Sequence, residues 1–260
     1  MISRWHADGL EAALARAGLA TFDAIWDLDE GYVEEPNVRR GGWSGVSRIA
    51  LPFDDGARPV FLKRQANHVT RSLRYPVFGE PTLHRELVRL REFSRLHITA
   101  PVPLHYAHTK KEGEWRAVLL VAEVPGRSLT SWLDGYGAAS RATKDAVMKA
   151  VAEVCRRMWS HHYEHRSLYP KHIFLDDSTS RISAAVIDLE KSRHRCLHPT
   201  FHVRDLDALN RRTPRVSRAD RLRFLLKAVD TECVTPAVRE VWTRLVERAA
   251  RRQALRIGVL

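Results

Sequence analysis

The spacing of apolar residues changes character partway along the chain. Over the first 124 residues the apolar runs are short and β-prone: Arg48 to Pro52, Pro59 to Arg64 and Trp115 to Val124, parted by the turn signals Asp54-Asp55-Gly56 and Lys110 to Gly113. One helix interrupts them near Pro81, a favourable first-turn residue, with Leu83, Leu87 and Leu90 at i, i+4 and i+7. After Pro125-Gly126 the period turns helical, and Val147, Val151, Val154 and Met158 make one apolar stripe. The pattern predicts an α+β protein with a small β-rich lobe over residues 1–124 and a larger α-helical lobe over 125–260. No internal repeat or low-complexity segment breaks that layout.

Composition narrows the setting. Hydrophobic residues are 44% of the 260, enough for a packed core and against a disordered chain. The longest apolar run, Ala117 to Ala122, stops at Glu123, far short of the roughly 20 residues that span a bilayer. Asp8 and Glu11 interrupt the N-terminal stretch before any signal-peptide core, so a cytoplasmic protein is expected. Cys155, Cys196 and Cys233 are odd in number and scattered, which points away from disulfides and cysteine zinc sites.

Charge adds a question about partners. Lys and Arg outnumber Asp and Glu by 43 to 31, and a net +12 attracts nucleic acid, anionic lipid or phosphorylated ligands. No nucleic-acid motif accompanies it. The densest basic run, Arg211 to Arg223, leads into Leu222, Leu225, Leu226 and Val229 at helical spacing. A basic amphipathic helix can lie on an anionic membrane, and an ordinary surface helix with a solvated cationic face has the same pattern.

Several polar residues stand where apolar ones are expected. Lys63 ends the predicted strand Val60-Phe61-Leu62-Lys63, where an ammonium reaches a ligand held against the sheet; a solvated strand-end lysine has the same sequence. Glu86 shares the helical face of Leu83, Leu87 and Leu90, so its carboxylate points inward and requires a cation. Upstream, Arg40-Gly41-Gly42-Trp43-Ser44-Gly45 leads into a strand. Its glycines let backbone N–H groups approach phosphate, and they equally suit a hairpin turn.

A sharper cluster runs from His165 to Leu175 (HRSLYPKHIFL) and resumes at Ala185-Val186-Ile187-Asp188-Leu189-Glu190. A polar loop, an apolar strand, a turn at Asp176-Asp177 and a second strand ending in Asp188 predict a hairpin with both polar ends at one edge. Kinase catalytic loops have the form H-R-D-x-x-x-x-N and precede a strand that ends in a metal-binding aspartate. His165 and Arg166 match the framework positions, His172 stands where the asparagine does, and Asp188 takes the metal position. Ser167 occupies the base position.

On these residues the sequence resembles the lipopolysaccharide core kinases of the InaA/WaaP type, whose H-R-D-x-Y-x-x-H loop is matched at His165, Arg166, Tyr169 and His172. The resemblance runs in order through Arg39 to Trp43, Val60 to Gln65, Tyr75 to Gly79, Thr82 to Glu86, the loop, Val186 to Arg193 and Arg204 to Asp207. It implies a bilobal protein-kinase-like fold and an ATP- and magnesium-dependent kinase. The implied acceptor is a sugar hydroxyl of the lipopolysaccharide inner core, a heptose or Kdo, met at the cytoplasmic face of the inner membrane. Lys63, by the same resemblance, holds the α- and β-phosphates with Glu86 as its ion-pair partner, and Gly41, Gly42, Gly45 and Glu123 complete the nucleotide-binding set. Asp188 and His172 bind magnesium. Asp205 receives backbone N–H groups of the loop, with Tyr169 as further support, although an ordinary helix-start carboxylate reads alike.

Ser167 departs from the family pattern, since a serine at neutral pH cannot serve as the base that takes the acceptor proton. Glu164 or Glu190 is a candidate substitute. Glu190 is the better candidate by its place beside the metal aspartate, though a surface pairing with Lys191 or Arg193 is the slightly preferred reading of it. A second alternative is a nucleotide-binding pseudokinase scaffold. A third is a zinc hydrolase, because His161, Glu164 and His165 spell H-x-x-E-H, although 13 histidines make such a match easy to meet by chance.

Overall fold

The Asp54-Asp55 turn folds two long strands onto each other, residue against residue, in the computed structural model, which describes residues 3–39, 41–71, 79–195 and 202–256. The chain divides into two units, Met1–Ser94 with Pro101–Glu123, and Arg95–Ala100 with Val124–Leu260. Arg40, the Tyr75 to Phe78 stretch and Cys196 lie outside the described residues.

The first unit carries β1 (Ser3–His6), α1 (Leu10–Arg16), α2 (Phe22–Trp26), β2 (Asn37–Arg39), β3 (Gly42–Phe53), β4 (Gly56–Ala66), β5 (Val69–Thr70), β6 (Glu80–Pro81), α3 (Thr82–Arg95), β7 (Pro103–Lys111) and β8 (Glu114–Ala122). Six of the strands form one antiparallel sheet in the order β1-β7-β8-β4-β3-β2. Successive side chains of a strand point to opposite faces. Val60 and Leu62 of β4 therefore share a core with Leu10 and Leu14 of α1 and Ile25 of α2. Lys63 turns to the other face, where Glu86 of α3 meets it.

Three features of this unit differ from the sequence expectation. The strand through Lys63 continues to Ala66, because Arg64 is an interior residue, only 4% exposed. Its guanidinium donates to the carbonyls of Trp26 (2.9 Å) and Leu28 (2.7 Å) and to Ser47 Oγ (3.2 Å), and it lies over the Tyr32 ring. The two N-terminal helices were not expected: α1 and α2 have 7 and 5 residues, too short for a periodic stripe. Strand β7 was hidden too, since His105 and His108 interrupt its apolar alternation.

The second unit carries β9 (Arg127–Ser128), α4 (Leu129–Asp134), α5 (Arg141–Ser160), β10 (Tyr163–Glu164), β11 (Ile173–Asp176), β12 (Ser183–Val186), β13 (Arg193–His194), α6 (His202–Arg211), α7 (Arg218–Ala228) and α8 (Pro236–Arg256). Ser140 caps α5 by accepting the Thr143 N–H at 3.1 Å, and the helix buries Val147, Val151, Val154 and Met158. Strands β11 and β12 pair antiparallel, Ile173 against Val186, while β9 flanks β11. Gly126 makes that approach possible. It sits at φ +89, and a Cβ there lands 1.9 Å from the Leu175 carbonyl oxygen, so no other residue fits.

The basic run around α7 is partly consumed within this unit. Arg221 donates to the carbonyls of Asn210 (3.1 Å), Thr213 (2.6 Å) and Val216 (3.0 Å), while Arg141 and Arg223 both meet Asp220. Leu225 of α7 is buried. Among the described residues, no helix is long and apolar enough to cross a membrane.

Candidate active site

In the first unit, Lys63 Nζ lies 2.6 Å from Glu86 Oε1, with the two side chains 19% and 3% exposed. Removing a carboxylate from water is costly, and a charge-assisted hydrogen bond at this distance offsets the cost. The pair fixes one ammonium on the face of the sheet that α1 and α2 do not cover.

The other nucleotide-binding candidates of this unit fare differently. Gly42 and Gly45 are committed to packing: a Cβ on Gly42 meets the Ala66 carbonyl oxygen at 2.4 Å, and one on Gly45 meets the Tyr32 ring at 2.4 Å. A close packing contact therefore accounts for glycine at both positions. Gly41 is the open one, at φ +75 in the turn between β2 and β3. The Glu123 carboxylate is clamped by Arg48, whose Nε and a terminal nitrogen donate to its two oxygens at 2.8 and 2.9 Å, and this fork holds the carboxyl below its ordinary pKa.

In the second unit the segment from His165 to His172 is held by hydrogen bonds from distant parts of the chain. Asp205, in the first turn of α6, is fully buried. One of its oxygens accepts the His165 N–H (2.8 Å) and the Trp159 indole N–H (3.1 Å), and the other accepts the Arg166 N–H (2.7 Å). Burial pushes this carboxyl up to about 6, against the lowering effect of those three donors.

The two histidines have their proton positions set by carbonyl neighbours. His165 Nε2 lies 3.0 Å from the Ile187 carbonyl oxygen, which can only accept, so Nε2 carries the proton and Nδ1 accepts the Ser167 N–H at 3.3 Å. Burial lowers the pKa of this ring to about 4, so it is neutral at physiological pH. His172 Nδ1 donates to the Ser167 carbonyl oxygen at 2.8 Å, which turns Nε2 toward Asp188 Oδ2, 3.4 Å away. The Ile187 N–H donates to the His172 carbonyl oxygen at 2.9 Å. Tyr169 donates its N–H to the Ser167 carbonyl oxygen at 2.7 Å, and its ring lies beside His172 and under the Arg212 guanidinium.

Two residues here have left-handed backbones without being glycine, Arg166 at φ 67 and Asp188 at φ 62. Such conformations persist where the surroundings over-determine them, and they gather at functional sites. Asp205 imposes the first, and the hydrogen bonds on both sides of Ile187 impose the second. Glu190 follows Asp188 in a short 3₁₀ turn, Leu189–Lys191, and is half-buried.

The zinc reading fails on this geometry. Helix α5 ends at Ser160 and residues 163–164 are extended, so His161 and His165 do not share a helical face, and both ring nitrogens of His165 are already engaged. Glu164, the other candidate base, is enclosed by arginines. Its buried carboxylate is ringed by the Nε atoms of Arg195 (3.2 Å), Arg166 (3.8 Å) and Arg204 (3.8 Å). Trp159, Arg195 and Arg204 carry no local sequence signal for these contacts. An apolar cavity of about 420 Å³ among α4 to α8, lined by Trp132, Val147, Leu206 and Phe224, includes none of the loop residues, so hydrogen bonding rather than concavity picks out the site.

Comparison with known proteins decides the family. Residues 23–227 match the family described as Lipopolysaccharide kinase (Kdo/WaaP) family. The chain belongs to this family. It is therefore a phosphotransferase of the lipopolysaccharide kinase class. Within the Kdo/WaaP family, Protein InaA of Escherichia coli (strain K12) is 32% identical over 202 residues, which cover 76% of this chain and 91% of InaA. A solved structure, WaaP in complex with acyl carrier protein, superposes with a TM-score of 0.68 at 17% identity, covering 96% of this chain and 98% of that one. That likeness concerns the fold, which is kinase-like.

Proposed function

We propose that this Kdo/WaaP family member transfers the γ-phosphate of ATP to a hydroxyl of the lipopolysaccharide inner core, a heptose first and Kdo second. The observation that carries the reading is the loop from His165 to His172, stapled by Asp205 at one end and by Ile187 and Asp188 at the other. Phosphoryl transfer has a loose transition state, so catalysis is mostly positioning and charge neutralisation, and rigid placement of the charged groups is what such an enzyme requires.

Lys63, fixed by Glu86, takes the α- and β-phosphates. Asp188 and His172 hold magnesium. The donor set fits that ion: it commonly uses one or two carboxylates, with phosphate oxygens and water completing the shell. Asp188 supplies the carboxylate, and His172 stands beside it with Nε2 3.4 Å from Oδ2. When bound, the ion neutralises charge on the phosphates. His165 and Asp205 keep the loop in shape, with Arg166 and Tyr169 in it, and Glu190 takes the acceptor proton where Ser167 cannot.

The test is transfer of radiolabelled γ-phosphate from magnesium ATP to purified core lipopolysaccharide, with mass spectrometry locating the new phosphate on heptose or Kdo. Transfer above an Asp188→Asn control is expected. Nucleotide binding with no transfer above that control selects the pseudokinase reading, which Ser167 favours.

The acceptor is an anionic glycolipid, so the reading includes peripheral contact at the cytoplasmic face of the inner membrane. A +12 protein gains about 1 kcal/mol per Lys or Arg close to an acidic surface. Co-sedimentation with acidic vesicles is expected at low ionic strength and is lost in molar salt, where the Debye length falls to about 3 Å. Binding that survives molar salt undiminished, or absence of binding at low salt, contradicts the electrostatic account.

A further inference from the structure

Glu164 and Arg193 face each other across the β10–β13 pairing, and Arg195 follows directly, its N–H donating to the His162 carbonyl oxygen at 2.7 Å. Arg166 approaches the same carboxylate from the loop and Arg204 from α6. Three guanidinium groups thus converge on one buried carboxylate, which offers about four acceptor sites to their fifteen N–H donors. The Arg166 and Arg204 distances of 3.8 Å are too long for hydrogen bonds, and Arg166 Nε is buried with no hydrogen-bond partner.

The oxygens of Asp205 are taken by His165, Arg166 and Trp159, and residues 196–201, which follow Arg195, contain no Asp or Glu. Counting Arg193, four cations face two carboxylates. Burial, followed by repulsion from Arg193 and Arg204, lowers the Arg166 pKa from its ordinary value. Arginine forks are suited to phosphate and carboxylate oxygens, and Arg204, 50% exposed, opens the cluster to solvent.

We propose that Arg166, Arg193, Arg195 and Arg204 form an anion site beside the catalytic loop, which binds a phosphate or carboxylate group already present on the acceptor. The inference rests on the kinase reading for the identity of that acceptor. Arg166 directly precedes Ser167, so an anion clamped here anchors the acceptor one residue from the position that meets its hydroxyl in kinases. These are positioning residues, and their effect falls on acceptor affinity rather than on the chemical step.

The test uses Arg193→Gln, Arg204→Gln and the double variant, because Arg195 then still pairs Glu164 and thermal melting verifies that the fold is kept. Arg181→Gln, at an exposed pair with Glu153 in the same unit, is the control. Calorimetry measures binding of core oligosaccharide without nucleotide, and steady-state assays measure KM and kcat for core lipopolysaccharide. The double variant is expected to weaken oligosaccharide binding and raise acceptor KM about tenfold, the factor of one charge-assisted contact, with kcat and the KM for ATP within twofold of wild type. The penalty disappears on phosphatase-treated acceptor if phosphate is the anion, and on carboxyl-reduced acceptor if a carboxylate is. Unchanged binding in the double variant, or a penalty that persists on acceptor treated both ways, overturns the proposal. Weakened binding in a protein that transfers no phosphate removes the kinase reading and leaves the anion site standing; normal transfer with unaltered binding does the reverse.

Discussion

Lys63→Met and Asp188→Asn are each expected to cut phosphate transfer at least ~100-fold, the scale of losing one fixed charge aimed at a transferring group. The two variants differ in what else they disturb. Asparagine is close in shape to aspartate and tolerates a left-handed backbone, so Asp188→Asn keeps the φ of 62 and its melting temperature while losing the charge that magnesium needs. Lys63→Met instead takes the 2.6 Å cation from a carboxylate only 3% exposed. Breaking a buried pair from one side costs about 3–5 kcal/mol, so this variant also melts earlier. Adding Glu86→Gln removes the stranded charge. Lys63→Met/Glu86→Gln should therefore regain much of the lost melting temperature with transfer still absent, which separates the phosphate-holding role of Lys63 from its structural one. Calorimetry with magnesium ATP reads the same loss as weakened or unproductive binding. Wild-type affinity and turnover in both single variants would remove these residues from the site.

Ser167→Asp is expected to accelerate transfer, by up to the 10²- to 10⁴-fold typical of positioned acid-base catalysis. Ser167 is 2% exposed, so burial raises the pKa of an aspartate placed there toward neutrality, where a general base works best. The peptide groups around the position are already anchored: its N–H goes to His165 Nδ1, and its carbonyl oxygen accepts from Tyr169 and His172. A new carboxylate therefore arrives on a prepared backbone. If Glu190 serves as the base in the wild type, Glu190→Gln slows the wild type more than it slows Ser167→Asp. Equal slowing of both backgrounds excludes Glu190 from that role. A Ser167→Asp protein no faster than wild type means that proton removal does not limit the rate.

Much of the architecture is legible in the hydrophobic period, and the failures have physical causes. Helices α3 and α5 and the β3–β4 hairpin repeat their apolar positions often enough to be read. Strand β4 runs on to Ala66, past the apolar run that ends at Arg64, and three acceptors from other segments draw Arg64 inside. For the site, residue types at motif spacing direct attention to His165, His172, Asp188 and Asp205, and the structure supplies the hydrogen bonds and tautomers. The convergence of Arg195 on Glu164 and of Trp159 on Asp205 spans 31 and 46 residues, a crossing of the chain that no local pattern encodes. Gly42 and Gly45 are ambiguous in sequence for a different reason. A close packing contact and a phosphate cradle select the same residue, and the structure adds the packing contact.

The reach of Asp205 also bears on how the second unit assembles. The two peptide groups it receives lie 40 and 39 residues earlier in the chain, so the loop gains these bonds only after a long segment has closed on itself. Closure entropy must be met before such contacts stabilise anything, and contacts of this span form slowly. Docking of α6 and ordering of the loop are consequently one cooperative step. The amide hydrogens of His165 and Arg166 are therefore expected to exchange with solvent through the opening that releases α6, and the segment that looks most like a surface loop in sequence should be among the later and more protected parts of the fold.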